Sequence, residues 1–165
     1  MPGEGAGRAG ARLPGMLSVE DNELLTRTGP GTPMGALFRR FWVPVALSAE
    51  VGPTGAGPTR VNVLGEQLVA FRTADGSLGL LQAGCPHRLA NLFWGRNEGD
   101  GLRCVYHGWK FDAEGACTEQ PVEPRPFCGQ VRARAYPTHE AGGLVWAYLG
   151  PPEQRPPFPR FELNE

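Results

Sequence analysis

Lysine is almost missing from this chain of 165 residues. Lys110 is the only one, and the remaining basic side chains are arginine. Neither sign of charge dominates. A net charge of −1 leaves no basis for bulk binding to nucleic acid or to an anionic membrane surface. Long apolar runs are missing too: nothing approaches the roughly 20 residues that span a bilayer, and the apolar segment 143–149 has the length of a strand. Residues 1–15 carry Arg8 and Arg12 without an apolar centre, so they do not read as a secretory signal. A soluble, cytoplasmic protein is expected, with neither nucleic acid nor membrane as partner. There is no C-x-x-C pair, and so neither the usual zinc spacing nor a C-x-x-C-H haem attachment. The four cysteines, Cys85, Cys104, Cys117 and Cys128, are even in number, but without a signal peptide metal binding or free thiols are favoured over disulfides.

Glycine and proline, by contrast, are abundant, with 24 and 17 residues. They concentrate in residues 1–15, 51–58 and 150–159, which read as a flexible extension, a loop and an exit arm. Between them, short strand-like runs alternate with turn residues, the pattern of a small, mostly β domain. The expected organisation is an extension over 1–15, an N-terminal arm with short helices over 16–50, a β domain over 51–150, and a Pro-rich exit arm over 151–165. Helices are expected over 20–28 and 34–40, the second opened by Pro33. Residues 41–47 are expected to be extended and to pack the arm onto the domain. Strands are expected over 60–64, 67–72, 78–82, 102–104, 109–111, 116–118, 131–136 and 144–149, with Arg132, Arg134 and Tyr136 on the wet face of the 131–136 strand. His139 is expected in a solvated turn before the last strand.

Two local patterns carry chemistry. Cys85-Pro86-His87-Arg88 is a C-x-H, and Cys104-Val105-Tyr106-His107-Gly108-Trp109 is a C-x-x-H; sixteen residues separate His87 from Cys104. A diiron cluster with mixed ligands needs two thiolates on one iron and two neutral imidazoles on the other. Two facing loops that each offer one of each donor suit that need. Pro86 stiffens its loop, and Gly108 permits a close approach of the backbone. Two other readings stay open: a structural zinc site, and a core with satisfied histidines and inert thiols.

The two loops resemble the Rieske signature, C-x-H-R followed by C-x-x-H-G-W. The form ending Tyr106-His107-Gly108-Trp109 resembles that of the Rieske non-haem iron, or ring-hydroxylating, oxygenases. The segment Asp21-Asn22-Glu23-Leu24-Leu25-Thr26-Arg27, the run Gly29-Pro30-Gly31-Thr32-Pro33-Met34-Gly35, Gly95-Arg96-Asn97-Glu98 and Trp109-Lys110-Phe111-Asp112 resemble the phthalate-dioxygenase-like oxygenase alpha subunits. The resemblance implies an antiparallel Rieske domain with two cluster-binding hairpin loops. Cys85 and Cys104 would hold the inner iron of a 2Fe–2S cluster, and His87 and His107 the outer, more exposed one. Pro86, Arg88, Tyr106, Gly108 and Trp109 would surround it. It implies one-electron relay from a flavin- or ferredoxin-type reductase to the mononuclear Fe(II) of an oxygenase catalytic domain, which in relatives usually belongs to the neighbouring subunit of a trimer. That iron takes two histidines and a carboxylate. This sequence has three histidines, of which only His139 lies outside the loops, so the chain would be one component of such an oxygenase, lacking the catalytic iron site. A free-standing Rieske ferredoxin is the rival within the resemblance, a zinc-binding structural module the rival outside it. One departure stands out: many relatives have glycine after the arginine of the first loop, where this chain has Leu89.

Trp109 stands where high-potential Rieske proteins carry a hydroxyl residue. One hydrogen bond fewer to the cluster favours its oxidised state. A redox titration is therefore expected to give a potential below zero, nearer about −150 mV than +300 mV.

Overall fold

Ser18 accepts the backbone N–H of Asp21 at 2.9 Å and opens α1 (Val19–Thr26), whose first turn carries Glu20 and Asp21 at its positive end. α2 (Pro33–Phe38) opens the same way, with Thr32 accepting from Gly35 N at 3.1 Å and Pro33 in the first turn, where a missing N–H is harmless. The computed structural model describes residues 16–160; the extension 1–15 and the last part of the exit arm, 161–165, lie outside the described residues. No residue of α1 is buried. α2 is held by Arg39, which donates to the carbonyls of Thr28 and Leu64 at 3.1 and 2.9 Å and to Glu66 at 2.8 Å.

The strands are β1 (Trp42–Leu47), β2 (Thr59–Val63), β3 (Glu66–Arg72), β4 (Leu78–Gln82), β5 (Arg96–Asn97), β6 (Leu102–Arg103), β7 (Lys110–Phe111), β8 (Cys117–Glu119), β9 (Thr138–Ala141) and β10 (Leu144–Tyr148). They form three antiparallel sheets, ordered β1-β10-β9, β2-β3-β4 and β5-β6-β7-β8. The middle sheet is apolar on both sides. Along β3, Leu68 and Ala70 join one buried cluster with Val61, Leu80, Val145 and Ala147. Val69 and Phe71 join another with Leu81, Leu102, Trp109 and Phe111. This is why β3 reads as a continuous run with no polar face. No helix among the described residues is long and apolar enough to cross a membrane.

Residues 41–47 are extended and packed on the domain, as expected: β1 pairs with β10, Val43 opposite Ala147 and Ala46 opposite Val145, because Val43, Val45 and Ala46 pack on the same cluster as the closing strand. Two expectations are corrected. Residues 131–136 form no strand. Their first half bonds to the β8 side, through Cys117 N to Val131 O and Ala133 N to Gly115 O. Their second half bonds to β4, through Gln82 N to Arg134 O and Tyr136 N to Leu80 O. The segment thus crosses from one sheet to the next, the alternation breaks, and Tyr136 turns inward to donate to the Glu66 carboxylate. His139 lies in β9, not in a turn. The turn is Gly142-Gly143, with φ of 61° and 72°, values open to glycine at little cost. The described part of the exit arm folds back on this sheet: Trp42 Nε1 donates to Pro156 O at 3.0 Å, and His139 stacks on Phe158 at 3.9 Å.

An ion network ties β6 to its neighbours. Arg103 grips both oxygens of Glu98 at 2.9 and 2.8 Å and reaches Glu119 at 2.6 Å. The buried Lys110 ammonium bonds Asp100 at 2.8 Å and also contacts Glu119. The Arg103 and Arg96 guanidiniums hold the Glu98 carboxyl down at about 2, below its ordinary 4.5. A depressed carboxylate contributes stability that is complete above its unfolded value and lost as pH falls through the folded one. Glu98→Gln is therefore expected to lower the thermal midpoint at neutral pH, and the gap from the parent should close as pH falls from about 4.5 towards about 2. Thermal scans across that range check this.

Candidate metal centre

The two motif loops close with the same pair of main-chain bonds. In the first, Cys85 N donates to Ala90 O at 2.9 Å and Leu89 N to Cys85 O at 2.8 Å. In the second, Cys104 N donates to Trp109 O at 2.9 Å and Gly108 N to Cys104 O at 3.0 Å. Each loop follows a strand, β4 or β6, that anchors its cysteine. The fourth residue after each cysteine has a positive φ: 57° at Leu89 and 74° at Gly108. At Gly108 a side chain would also collide, since a Cβ there would lie 2.9 Å from Pro121 Cγ.

This shared closure sorts the donors. Cys85 and Cys104 are 1% and 2% exposed and belong to the core cluster with Trp109 and Leu102. Their thiols face each other. Burial, and then Cys104, push the Cys85 thiol up to about 11, while the N–H groups of His87 and Arg88 pull it the other way. His87 and His107 stand further out, half-buried, with ring centroids 4.5 Å apart. Burial, and then the neighbouring His87 and Arg88, lower the His107 pKa below its ordinary 6.5, which favours the neutral imidazole that binds metal. The Trp109 ring, 3% exposed, lies parallel to His87 at 4.4 Å and shields it from water on that side; Phe127 covers Trp109 edge-on at 5.5 Å. Tyr106 leans over His107 at 3.9 Å but is exposed. Pro86 is half-buried, and Arg88 is exposed on the first loop.

The donor set fits a diiron cluster. His87 Nδ1 is buried without a hydrogen-bond partner. An unmet buried acceptor or donor costs about 1–3 kcal/mol, which a metal–nitrogen bond relieves. Among the described residues no three His, Cys, Asp or Glu side chains group as a site for one ion. The four donors come instead as a sulfur pair and an imidazole pair, the two sets that the irons of such a cluster would need. The Trp109 indole N–H, on the ring that stacks against His87, is also buried without a partner. Cys117 and Cys128 are free, and burial, then Cys128, push the Cys117 thiol up to about 12, an inert state. Sequence reasoning missed the role of Arg103, which donates to the Gly108 carbonyl at 2.7 Å; nothing local in the sequence signals that bond. It also noted Leu89 without seeing its left-handed backbone, which the glycine usual in relatives had hinted at.

Residues 41–137 match the model of the Rieske [2Fe-2S] domain. The chain is 49% identical to the 3-chlorobenzoate-3,4-dioxygenase oxygenase subunit of Comamonas testosteroni over 150 residues, covering 90% of this chain and 34% of that protein. It is 47% identical to the phthalate 4,5-dioxygenase oxygenase subunit of Pseudomonas putida over 145 residues, covering 87% and 33%. Among solved structures, dicamba monooxygenase with non-heme iron and dicamba is similar, with a TM-score of 0.66, 32% identity, and coverage of 75% of this chain and 38% of that one. The chain thus spans about a third of the length of these curated relatives.

Leu89 is 78% exposed, so its side chain gains little from packing while its backbone sits where leucine is strained. Leu89→Gly should raise stability by up to about 1 kcal/mol, the left-handed penalty less the added freedom of the unfolded chain. A higher thermal midpoint with an unchanged visible spectrum is the expected result.

Proposed function

Because the chain belongs to the Rieske [2Fe–2S] domain family, we propose that Cys85, His87, Cys104 and His107 hold its cluster and that the chain relays single electrons within a Rieske oxygenase. When bound, the cluster supplies one-electron oxidation and reduction at its histidine-held iron. The donor is a flavin- or ferredoxin-type reductase. The acceptor is the mononuclear iron of an oxygenase catalytic domain, contributed by a neighbouring subunit of a trimer, and the setting is the cytoplasm. The observation that carries this reading is the buried, unpartnered Nδ1 of His87 in a pair of loops that close alike.

The residues divide the work by depth. Cys85 and Cys104 bind from inside the core, where water cannot reach the sulfurs. His87 and His107, further out, would hold the cluster from the outer side, where its one-electron chemistry would be open to partners. Trp109 keeps the His87 ring in plane by stacking, and Gly108 lets the second loop turn beside Pro121. The relatives are named as oxygenase subunits, which favours this relay over a free-standing ferredoxin. A zinc module is disfavoured by donors that come in pairs. The aromatic acids named for those relatives suggest an aromatic carboxylate substrate, handled outside this stretch of chain: its remaining histidine, His139, cannot supply a two-histidine iron site alone.

The protein as expressed is expected to be red-brown, with iron and acid-labile sulfide in equal amounts. On reduction it should give an EPR signal in which pulsed measurements detect two imidazole nitrogens. Cys104→Ser and His107→Ala should abolish the signal, while His139→Ala leaves it unchanged. A colourless protein that carries zinc would overturn the assignment.

A further inference from the structure

Arg103 ends β6 and immediately precedes Cys104. All three nitrogens of its guanidinium are engaged. Nε and Nη2 hold Glu98, Nη2 also holds Glu119, and Nη1 donates to the main-chain carbonyl of Gly108 at 2.7 Å. With its side chain 19% exposed, the cation is only weakly screened by salt. The two carboxylates fix its fork in place, as a planar guanidinium allows and an ammonium does not. The fork therefore reaches the cluster-loop turn from a rigid base and not from a free rotamer.

Gly108 follows His107 and sits at the left-handed position that reverses the loop. Its N–H is already tied to Cys104 O, so Arg103 fastens the other polar group of the same residue. A charged donor on that carbonyl also draws electron density from the peptide whose N–H belongs to Trp109. The first loop is braced differently, by the neutral amide of Gln82 on the Gly84 carbonyl at 2.7 Å. The two loops close alike, yet among the described residues only the second has a charged brace.

We infer that Arg103 is the positioning residue of the second loop: its bond to Gly108 fixes the His107 imidazole and, by placing a cation beside that loop, favours the reduced, more negative state of the centre. This rests on the cluster assignment above. Lysine at this position would keep the charge but could not span Glu98, Glu119 and Gly108 together.

The test compares the parent with Arg103→Lys, Arg103→Gln and Glu119→Gln by potentiometric titration, EPR of the reduced state, and thermal scans. Arg103→Gln, which loses the charge, is expected to keep a cluster whose one-electron reduction equilibrium is about tenfold less favourable, a downward shift of about 59 mV; both Arg103 variants, which lose the Gly108 bond, should change the imidazole-nitrogen couplings. Glu119→Gln keeps the Gly108 bond, so it should lower the thermal midpoint without changing the line shape. If Arg103→Gln does not fold, Arg103→Lys decides alone. Loss of the cluster from Arg103→Lys with its far-UV circular dichroism retained supports the inference, since only the loop has then failed. A parental line shape in Arg103→Lys, or a parental potential in a folded Arg103→Gln, with a lower thermal midpoint alone, would overturn it. A parent protein with no such EPR signal would instead remove the cluster assignment itself.

Discussion

Each loop cysteine closes a ring over the residues that follow it, using both of its main-chain groups, and the rest of the site hangs from that closure. Cys85 and Cys104 donate to the fifth residue on and accept from the fourth. The sulfur is thereby held at the base of the loop, inside the core, while the histidine two or three residues later is carried over the crest towards solvent. Depth along the loop thus separates two kinds of donor that differ in charge and in tolerance of water. The closure needs a left-handed backbone at the fourth residue, easily met by Gly108 and met at a cost by Leu89.

The sheets hold these loops at a fixed separation. β4 feeds the first loop and β6 the second, and both strands are locked into one apolar cluster by Leu81, Leu102, Phe111 and Trp109. The opposite face of β3 and β4 packs on a second cluster, the one beneath the closing sheet. A shift at one loop is therefore resisted by close packing across all three layers. The ion network on the β6 side adds direction to packing that has none. Lys110, the sole lysine, is buried with its ammonium met by carboxylates, and Arg103 is aimed at the turn beside His107.

Much of this was legible in the residues. The C-x-H and C-x-x-H loops, their spacing and the short strands leading into them all appear in the sequence, because local turns and strands depend on neighbours in the chain. β4 (Leu78–Gln82) lies where it was expected, and β10 (Leu144–Tyr148) fills all but the last residue of the expected 144–149. What failed was the segment 131–136. Its alternation was real, but the partner changes midway from one sheet to another, and Tyr136 is drawn inward by Glu66, seventy residues away along the chain. His139 was misplaced for a related reason: its strand exists by pairing with β10, and its own residues are too few and too polar to announce it.

The sequence by itself determined the kind of chemistry, since two thiols and two imidazoles in that pattern have few other uses, and it determined which short stretches could extend or turn. Only the tertiary structure decided which donors lie inside and which lie out, that Leu89 bears the strain its counterpart Gly108 avoids, and that Arg103 reaches across to the second loop. The physical reason is range. Donor type and turn propensity are properties of adjacent residues, whereas burial, strain and an arginine's choice of carbonyl arise from groups that meet only after the sheets have packed.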